Sequence, residues 1–176
     1  MRLQPLFSAA EIEARIAELS AQLYRDYADS PLAILCIAEG AVRFVSALQR
    51  EFKKRGFEPE VVRLRAYRSQ GTELREVAIE AFDPTVLEDR DVLVVDDVAD
   101  EGHTLRAVLE IVALAETRSV RTAVLVNKLE RRREHLRLDY VGFEVERGWV
   151  VGFGMDLNGD YRDLNEIALV EHEAEV

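Results

Sequence analysis

The sequence predicts an α/β protein in which a parallel sheet is flanked by helices. Short runs of apolar residues alternate along the chain with amphipathic helical patterns, as in repeated strand–helix–strand units. The clearest run, VLVV at 92–95, ends directly in two aspartates, and a helical pattern follows after a short loop. This order is typical of an open parallel sheet, whose ligands bind beyond the carboxyl ends of the strands.

Each predicted element follows from the spacing of its apolar residues. Consecutive or alternating apolar residues predict strands at 32–37, 60–66, 76–82, 91–95 and 120–126. Apolar residues at helical spacing predict helices at 9–27, 41–55 and 104–115. SAAE at 8–11 is a capping box that begins the first helix, and Gly56 ends the second. The polar segment 67–75 contains Gly71 and is expected to be a mobile loop.

Composition favours one globular domain. The chain has 176 residues, of which 48% are hydrophobic and 32% are charged. Its net charge of −11 argues against nucleic-acid and membrane partners, because their phosphates attract Lys and Arg. The longest apolar run, at 31–38, is too short to span a bilayer, and no secretory pattern opens the chain. Cys36 is the single cysteine and cannot form an internal disulfide, so we expect a cytoplasmic protein.

The last part of the chain predicts a small hood over the sheet. After Asp139 the pattern changes to short strands and loops, which indicates a hood rather than a separate domain. We therefore expect a single domain over 1–176, with its core at about 30–138 and a hood formed by the N-terminal segment and about 139–170. The acidic tail at 166–175 is expected to be solvated.

The segment VLVVDDVADEGHT at 92–104 carries the strongest functional signal. Ribose hydroxyls need carboxylate acceptors, and a phosphate needs the N–H and hydroxyl donors of a loop that begins a helix. This segment has both, so it predicts a ribose-phosphate site. Neither the P-loop pattern nor the Rossmann glycine pattern occurs in the chain. Too few residues follow Asp96 for the remainder of a receiver domain.

Together with later segments, this motif resembles the type I phosphoribosyltransferases, and within them the hypoxanthine and hypoxanthine-guanine enzymes. The later segments, in family-like order and spacing, are VLVNK at 124–128, DYVGFEV at 139–145, WVVGFGMD at 149–156 and YRDL at 161–164. The resemblance extends from about 32 to 169. It implies transfer of the phosphoribosyl group of phosphoribosyl pyrophosphate to hypoxanthine, guanine or xanthine, with Mg²⁺ as cofactor. It also implies a homo-oligomer, either a dimer or a tetramer.

The resemblance also implies a role for each site residue. Asp100 would be the catalytic acid/base at the purine imidazole nitrogen. The phosphoribosyl group would be bound by Asp96, Asp97, Ala99, Asp100, Glu101, Gly102, His103 and Thr104. Purine binding would involve the Lys128 ammonium at the 6-oxo group, the stacked ring of Trp149, the Val150 backbone and Asp156. Pyrophosphate would be bound by Glu39, Gly40 and Arg162, with Tyr67 as the lid residue. Mg²⁺ would be held by Asp96, Asp97 and Asp156.

Three positions depart from the family pattern. Glu101 stands where a phosphate-binding Thr is usual, and a close carboxylate–phosphate pair costs about 1–4 kcal/mol. Glu101 must therefore point outward, or the pocket prefers a ligand with less negative charge. Glu39 replaces a Lys before Gly40, and Ala66 replaces a Ser before Tyr67. Two functions stay open: an enzyme of purine salvage, and a regulator that binds nucleotides without turnover.

Overall fold

A six-stranded sheet lies at the centre of the computed structural model, which describes residues 2–68, 77–130 and 136–171. In chain order the elements are β1 (Arg2–Phe7), α1 (Ala9–Tyr27), β2 (Leu32–Ala38), α2 (Val42–Lys53), β3 (Glu60–Arg68), β4 (Val77–Ile79), a 3₁₀ helix (Pro84–Leu87), β5 (Asp91–Ala99), α3 (His103–Val112), β6 (Ser119–Lys128), β7 (Tyr140–Val145), β8 (Trp149–Val151) and β9 (Ile167–Glu171). Within the described ranges, no helix has the length and apolarity needed to cross a membrane.

The six-stranded sheet is mainly parallel and has the order β4-β3-β2-β5-β6-β7. Five neighbouring strands run parallel, namely β3, β2, β5, β6 and β7. At one edge of the sheet, β4 pairs antiparallel with β3. Parallel neighbours need crossover connections, which α2 and α3 provide. The predicted α/β class, with a parallel sheet and flanking helices, is confirmed.

The sheet is buried on both faces. Every residue of β2 is buried. Ile34 and Cys36 belong to the apolar cluster that includes α1 and α2, whereas Leu35 and Ile37 belong to the cluster that includes α3. Successive side chains of a strand point to opposite faces, so this division places α3 on one face and the other two helices on the opposite face.

The predicted strands near the site are longer in the structure. β5 runs to Ala99 rather than ending at 95, because its pairing with β6 continues through Val98 opposite Val126 and Ala99 opposite Asn127. β6 likewise continues to Lys128. The predicted strand at 76–82 is reduced to the three residues of β4, and most of the predicted loop at 67–75 lies outside the described residues.

A second sheet, which we call the hood, contains β1, β9 and β8 in that order and is antiparallel. Leu3 of β1 pairs with Val170 of β9, and Val150 of β8 pairs with Leu169. The predicted solvated tail is wrong for Ile167–Glu171, which forms the middle strand of the hood. It is a strand because β1 and β8 supply hydrogen-bonding partners on both of its edges.

The boundary of the hood also differs from the prediction. β7 follows Asp139 directly, yet it pairs in parallel with β6, for example Val126 with Phe143. The alternating pattern of β7 suits the edge of the main sheet, where Tyr140 and Val145 are buried. A hood that begins at 139 is therefore wrong for this strand, whereas the single-domain organisation over 1–176 stays a prediction.

The start of α1 provides a test of the local sequence signal. Ser8 Oγ accepts a hydrogen bond from the Glu11 N–H at 3.3 Å, and Glu11 Oε2 accepts one from the Ser8 N–H at 2.8 Å. We expect Ser8→Ala to lower the free energy of unfolding by about 1 kcal/mol, measured by urea denaturation. Ser8→Thr keeps the acceptor oxygen and serves as the control. Equal stability of the Ala and Thr variants would contradict the capping role.

Candidate active site

Residues from the main sheet and from the hood line one cavity of about 130 Å³. The lining residues are Asp97, Val98, Asp100, Lys128, Trp149, Val150, Met155 and Asp156. All four predicted purine-binding residues are among them, and the predicted acid/base Asp100 lies on the same wall as Lys128. The structure therefore brings together residues that are far apart in the sequence. Met155 is a lining residue that the sequence reasoning did not single out.

Two adjacent carboxylates lie at the carboxyl end of β5. Asp96 is 8% exposed and its Oδ1 accepts a hydrogen bond from the Asp97 N–H at 2.9 Å. Asp97 Oδ1 accepts one from the Val98 N–H at 2.8 Å. Burial and the charge of Asp97 raise the pKa of Asp96 well above its usual value. Burial also raises the pKa of Asp97, and the charge of Asp156 adds to this effect. The pair therefore favours a ligand that brings hydroxyl donors or positive charge.

The donor set at this end of β5 fits a metal ion held jointly with a ligand. Among the described residues, no three His, Cys, Asp or Glu side chains form a group that could hold a metal. Mg²⁺ usually takes only one or two carboxylates from the protein, and phosphates and water complete its shell. Asp96 and Asp97 can supply those carboxylates.

Asp156, the third predicted metal ligand, is already engaged by protein groups. Its Oδ1 accepts a hydrogen bond from Arg162 Nη2 at 2.8 Å, and its Oδ2 accepts one from the Gly159 N–H at 2.6 Å. Partial burial raises the pKa of Asp156, but these hydrogen bonds and the Arg162 charge outweigh it and leave the pKa below its usual value. The arrangement suits a positioning role toward Arg162, and the metal role of Asp156 stays a prediction.

The loop after β2 approaches the acid pair so closely that only glycine fits. A Cβ atom on Gly40 would collide with the Asp97 carboxylate. A Cβ atom on Gly154, which follows β8, would lie 2.5 Å from the Gly40 carbonyl oxygen. Gly154 also has a φ of +104°, which an L side chain rarely adopts. These contacts place backbone groups of the loop beside Asp97, as the predicted pyrophosphate loop requires.

The turn between β5 and α3 presents backbone donors. Gly102 is the N-cap of α3 with a φ of 95°, and α3 begins at His103, with the half-buried Thr104 in its first turn. The N–H groups of a first helical turn have no partner four residues earlier and can bind an anion. Ala99, which ends β5 before this turn, is buried.

Glu101 does not point outward as one of our two expectations required. It is only 3% exposed. A buried carboxylate is tolerated where it has polar or charged partners, and Glu101 makes such an interaction. The Thr hydroxyl that is usual at this position is therefore replaced by an acid that is held inside the protein, and the other expectation, a pocket that prefers a ligand with less negative charge, stays a prediction.

Asp100 and Lys128 form an ion pair on the cavity wall, with 2.8 Å between Asp100 Oδ2 and Lys128 Nζ. The Lys128 side chain is 5% exposed and that of Asp100 is 22% exposed. Lys128 Nζ also lies 6.0 Å from the centre of the Trp149 ring. Trp149 is 45% exposed, and its Nε1 donates to the Asp156 carbonyl oxygen at 3.3 Å. The cavity thus offers a donor, an acceptor and a flat aromatic ring to a planar ligand.

Arg43 of α2 is a positioning residue that sequence reasoning missed. Its Nη1 donates to the carbonyl oxygens of Arg162 at 3.0 Å and Leu164 at 2.8 Å, and its Nη2 donates to the Asn165 side chain. Its guanidinium also lies 4.6 Å from the centre of the Phe153 ring. Arg43 therefore holds the segment that carries Arg162. An Arg in the first turn of an amphipathic helix gives no sequence signal for this long-range contact.

The remaining predicted residues lie on the loop after β2, on β3 and in the hood. Glu39 follows β2 after a cis peptide bond and is exposed. Tyr67 lies on β3 opposite Ala78, beside the end of the described residues. Val150 is buried in β8. The roles given to these residues stay predictions.

Comparison with known proteins supports one family. The family model named phosphoribosyl transferase domain matches residues 6–158. A hypoxanthine-guanine phosphoribosyltransferase from Mycobacterium avium is 33% identical over an alignment of 172 positions, which covers 94% of this chain and 84% of the relative. Both the resemblance and the fold class inferred from the sequence are confirmed by these matches and by solved structures.

Two of these structures cover almost the whole chain. A hypoxanthine phosphoribosyltransferase from Staphylococcus aureus has a TM-score of 0.87 at 27% identity, over 96% of this chain and 91% of its own. The hypoxanthine phosphoribosyltransferase from Trypanosoma cruzi in complex with the product IMP has a TM-score of 0.87 at 25% identity, over 95% of this chain and 93% of its own. The similarity therefore includes the hood as well as the main sheet.

Replacing Asp96 by Asn should stabilise the fold at neutral pH. Burial and the Asp97 charge raise the pKa of folded Asp96, so the folded protein binds this proton more tightly than the unfolded chain does. The free energy of unfolding of the unmodified protein should therefore fall as the pH rises above about 4. Asn cannot ionise, so Asp96→Asn avoids this decrease in the free energy of unfolding. The stability of the variant relative to the unmodified protein should therefore increase with pH.

The measurement is urea denaturation between about pH 4 and about pH 8. The control is Asp160→Asn, which makes the same chemical change at an exposed position. An equal gain in both variants, or a gain from Asp96→Asn that does not depend on pH, would contradict the argument.

Proposed function

The chain belongs to the phosphoribosyl transferase domain family, and we propose that it is a purine phosphoribosyltransferase of purine salvage. It transfers the phosphoribosyl group of phosphoribosyl pyrophosphate to hypoxanthine, with guanine or xanthine as further candidate bases, and releases pyrophosphate. The names of the relatives support an enzyme of this kind. They give no support to the alternative of a regulator without turnover.

The ion pair of Asp100 and Lys128 is the observation that carries this proposal. A 6-oxopurine presents its oxo group and an imidazole nitrogen side by side on one edge. An ammonium can donate to the oxo group while a neighbouring carboxylate exchanges a proton with the nitrogen. Lys128 and Asp100, which are 2.8 Å apart, both line the cavity and can take these two roles. Trp149 borders the same cavity and can stack on the purine.

The reaction is a displacement at the anomeric carbon of the ribose. A purine nitrogen forms the new bond to this carbon, and the bond to the pyrophosphate oxygen breaks with its electrons going to pyrophosphate. Asp100 accepts the proton that the imidazole ring loses. Positive charge develops on the ribose in the transition state, and the carboxylates of Asp96 and Asp97 stabilise it while they accept hydrogen bonds from the ribose hydroxyls.

The phosphates bind on either side of the acid pair. The 5′-phosphate is bound by the turn at 99–104 and the Thr104 hydroxyl, which suits the first turn of α3. Pyrophosphate is bound by the loop at Gly40 and by Arg162. Hydrogen bonding to Asp156 raises the pKa of Arg162 above its usual value, so this guanidinium stays charged.

Mg²⁺ is the proposed cofactor, and it would be held by Asp96 and Asp97 together with the substrate. When bound, Mg²⁺ would partly neutralise the negative charge of the pyrophosphate. The homo-oligomer, the cytoplasmic location and the absence of nucleic-acid and membrane partners also remain predictions from the sequence.

The direct test is a spectrophotometric assay with phosphoribosyl pyrophosphate, Mg²⁺ and each of the three purines. Turnover with hypoxanthine is the expected result, and its absence with all three bases would contradict the proposal. Binding of a purine mononucleotide without turnover would instead favour the regulator.

Asp100→Asn should lower kcat by about 10²–10⁴-fold, because the amide cannot accept the imidazole proton. We expect the affinity for a purine mononucleotide, measured by calorimetry, to change much less. Since the variant also removes the negative charge that pairs with buried Lys128, circular dichroism must first show that it is folded. Asp160→Asn is the matched control and should keep full activity. Unchanged turnover in Asp100→Asn would remove Asp100 from the catalytic role.

Mg²⁺ alone should bind only weakly, because the described residues form no metal site of three or more acidic, His or Cys side chains. With phosphoribosyl pyrophosphate present, Mg²⁺ should bind tightly, and chelation by EDTA should abolish turnover that added Mg²⁺ restores. Calorimetry with and without the substrate measures the difference. Full turnover in EDTA would overturn the proposed cofactor.

A further inference from the structure

Arg65 lies beside the predicted pyrophosphate loop on the neighbouring strand. In the register of the sheet, Arg65 of β3 pairs with Ala38, the last residue of β2. Its Nη2 lies 3.0 Å from Glu39 Oε1, and its Nη1 lies 3.8 Å from Glu80 Oε1. The guanidinium is therefore held between two carboxylates at the edge where β2 ends.

Glu39 brings negative charge to a place that is proposed to bind an anion. Hydrogen bonding to Asp156 is the main cause of the raised pKa of Arg162, and the charge of Glu39 adds to it. Glu39 thus lies within electrostatic reach of the arginine proposed to bind pyrophosphate. Without a nearby cation, its carboxylate would repel the phosphates of the substrate.

We propose that Arg65 is a pyrophosphate-binding residue that supplies, from β3, the positive charge that Glu39 does not supply from the loop. Glu39 and Glu80 hold the guanidinium at this edge until pyrophosphate takes their place. This inference rests on the proposed function, because it concerns the leaving group of that reaction.

The exposure of the ion pairs allows this exchange. The side chain of Arg65 is 59% exposed, and those of Glu39 and Glu80 are each 52% exposed. Exposed ion pairs contribute little to stability, so a ligand can replace them without a large loss. A guanidinium can form two parallel hydrogen bonds with one phosphate. Arg65 instead has one contact with each carboxylate, at 3.0 Å to Glu39 and 3.8 Å to Glu80.

The test is the affinity for magnesium pyrophosphate, measured by calorimetry on the full chain. Arg65→Gln should weaken this affinity and raise the KM for phosphoribosyl pyrophosphate about tenfold or more, because a charge-assisted contact is lost. The KM for hypoxanthine should not change. Arg65→Lys keeps the charge without the planar fork, so its effect should be intermediate.

The matched control is Arg63→Gln, which removes the same charge two residues earlier on the same strand. Arg63 is also exposed but lies farther from the carboxyl end of the strand, so its loss should leave pyrophosphate affinity unchanged. Glu39→Gln should tighten pyrophosphate binding, and Glu39→Gln combined with Arg65→Gln should recover part of the lost affinity.

The outcomes separate this inference from the proposed function. If the unmodified protein is active and Arg65→Gln binds magnesium pyrophosphate equally well, the inference is overturned. The same holds if Arg65→Gln lowers only the melting temperature, or if Arg63→Gln has an equal effect on affinity. If no purine is converted but pyrophosphate affinity still depends on Arg65, the proposed reaction fails while the anion-binding role of Arg65 stands.

Discussion

The placement of two adjacent carboxylates, one buried and one half-buried, in the last part of the central strand β5 is the constraint around which the site is built. Asp96 and Asp97 follow a run of fully buried residues in β5, with parallel strands on both sides. Like charges in such surroundings oppose folding, so the rest of the domain must stabilise this arrangement. The large two-sided core provides that stability. The unfavourable pair is then available to a ligand that brings hydroxyl donors and a cation, as expected where stability and function conflict.

The hood and the segment that follows β8 complete the site with backbone groups that lie close to the main sheet, as well as with side chains. A side chain at Gly154 would meet the Gly40 carbonyl oxygen, and one at Gly40 would meet the Asp97 carboxylate. Glycine at both positions therefore allows the segment after β8 to lie this close to the main sheet. Arg43 holds the segment at 162–165 by donating hydrogen bonds to three of its oxygen atoms. Because the hood sheet also contains β1 and β9, the proposed base-binding residues of β8 depend on strands that are far from β8 in the sequence or close to one end of it.

Local signals predicted the parts of the site that are close together in sequence. Asp96, Asp97, the turn after them and the start of α3 follow one another in the sequence. Their residue types and their order were enough to predict a ribose-phosphate site. The central strand of the hood was missed, because β9 is a strand only through its pairing with β1 and β8. Arg65 was missed for the same reason. Its partners Glu39 and Glu80 come from other segments, and no pattern along β3 marks the contact.

The distribution of charge explains how an acidic protein can bind a highly charged anion. With a net charge of −11, the chain as a whole repels phosphates. At the site, however, several acids are paired with cations: Asp100 with Lys128, Asp156 with Arg162 and Glu39 with Arg65. Each pairing offsets the acid locally, and it keeps Lys128 near the oxo group of the proposed base and Arg162 and Arg65 near the proposed pyrophosphate. The adjacent carboxylates of β5 then become the main concentration of negative charge, beside the proposed position of the ribose and the metal ion. The charge of the site therefore alternates along the substrate, because cations and backbone donors lie at the two proposed phosphate positions and the carboxylates lie at the ribose between them.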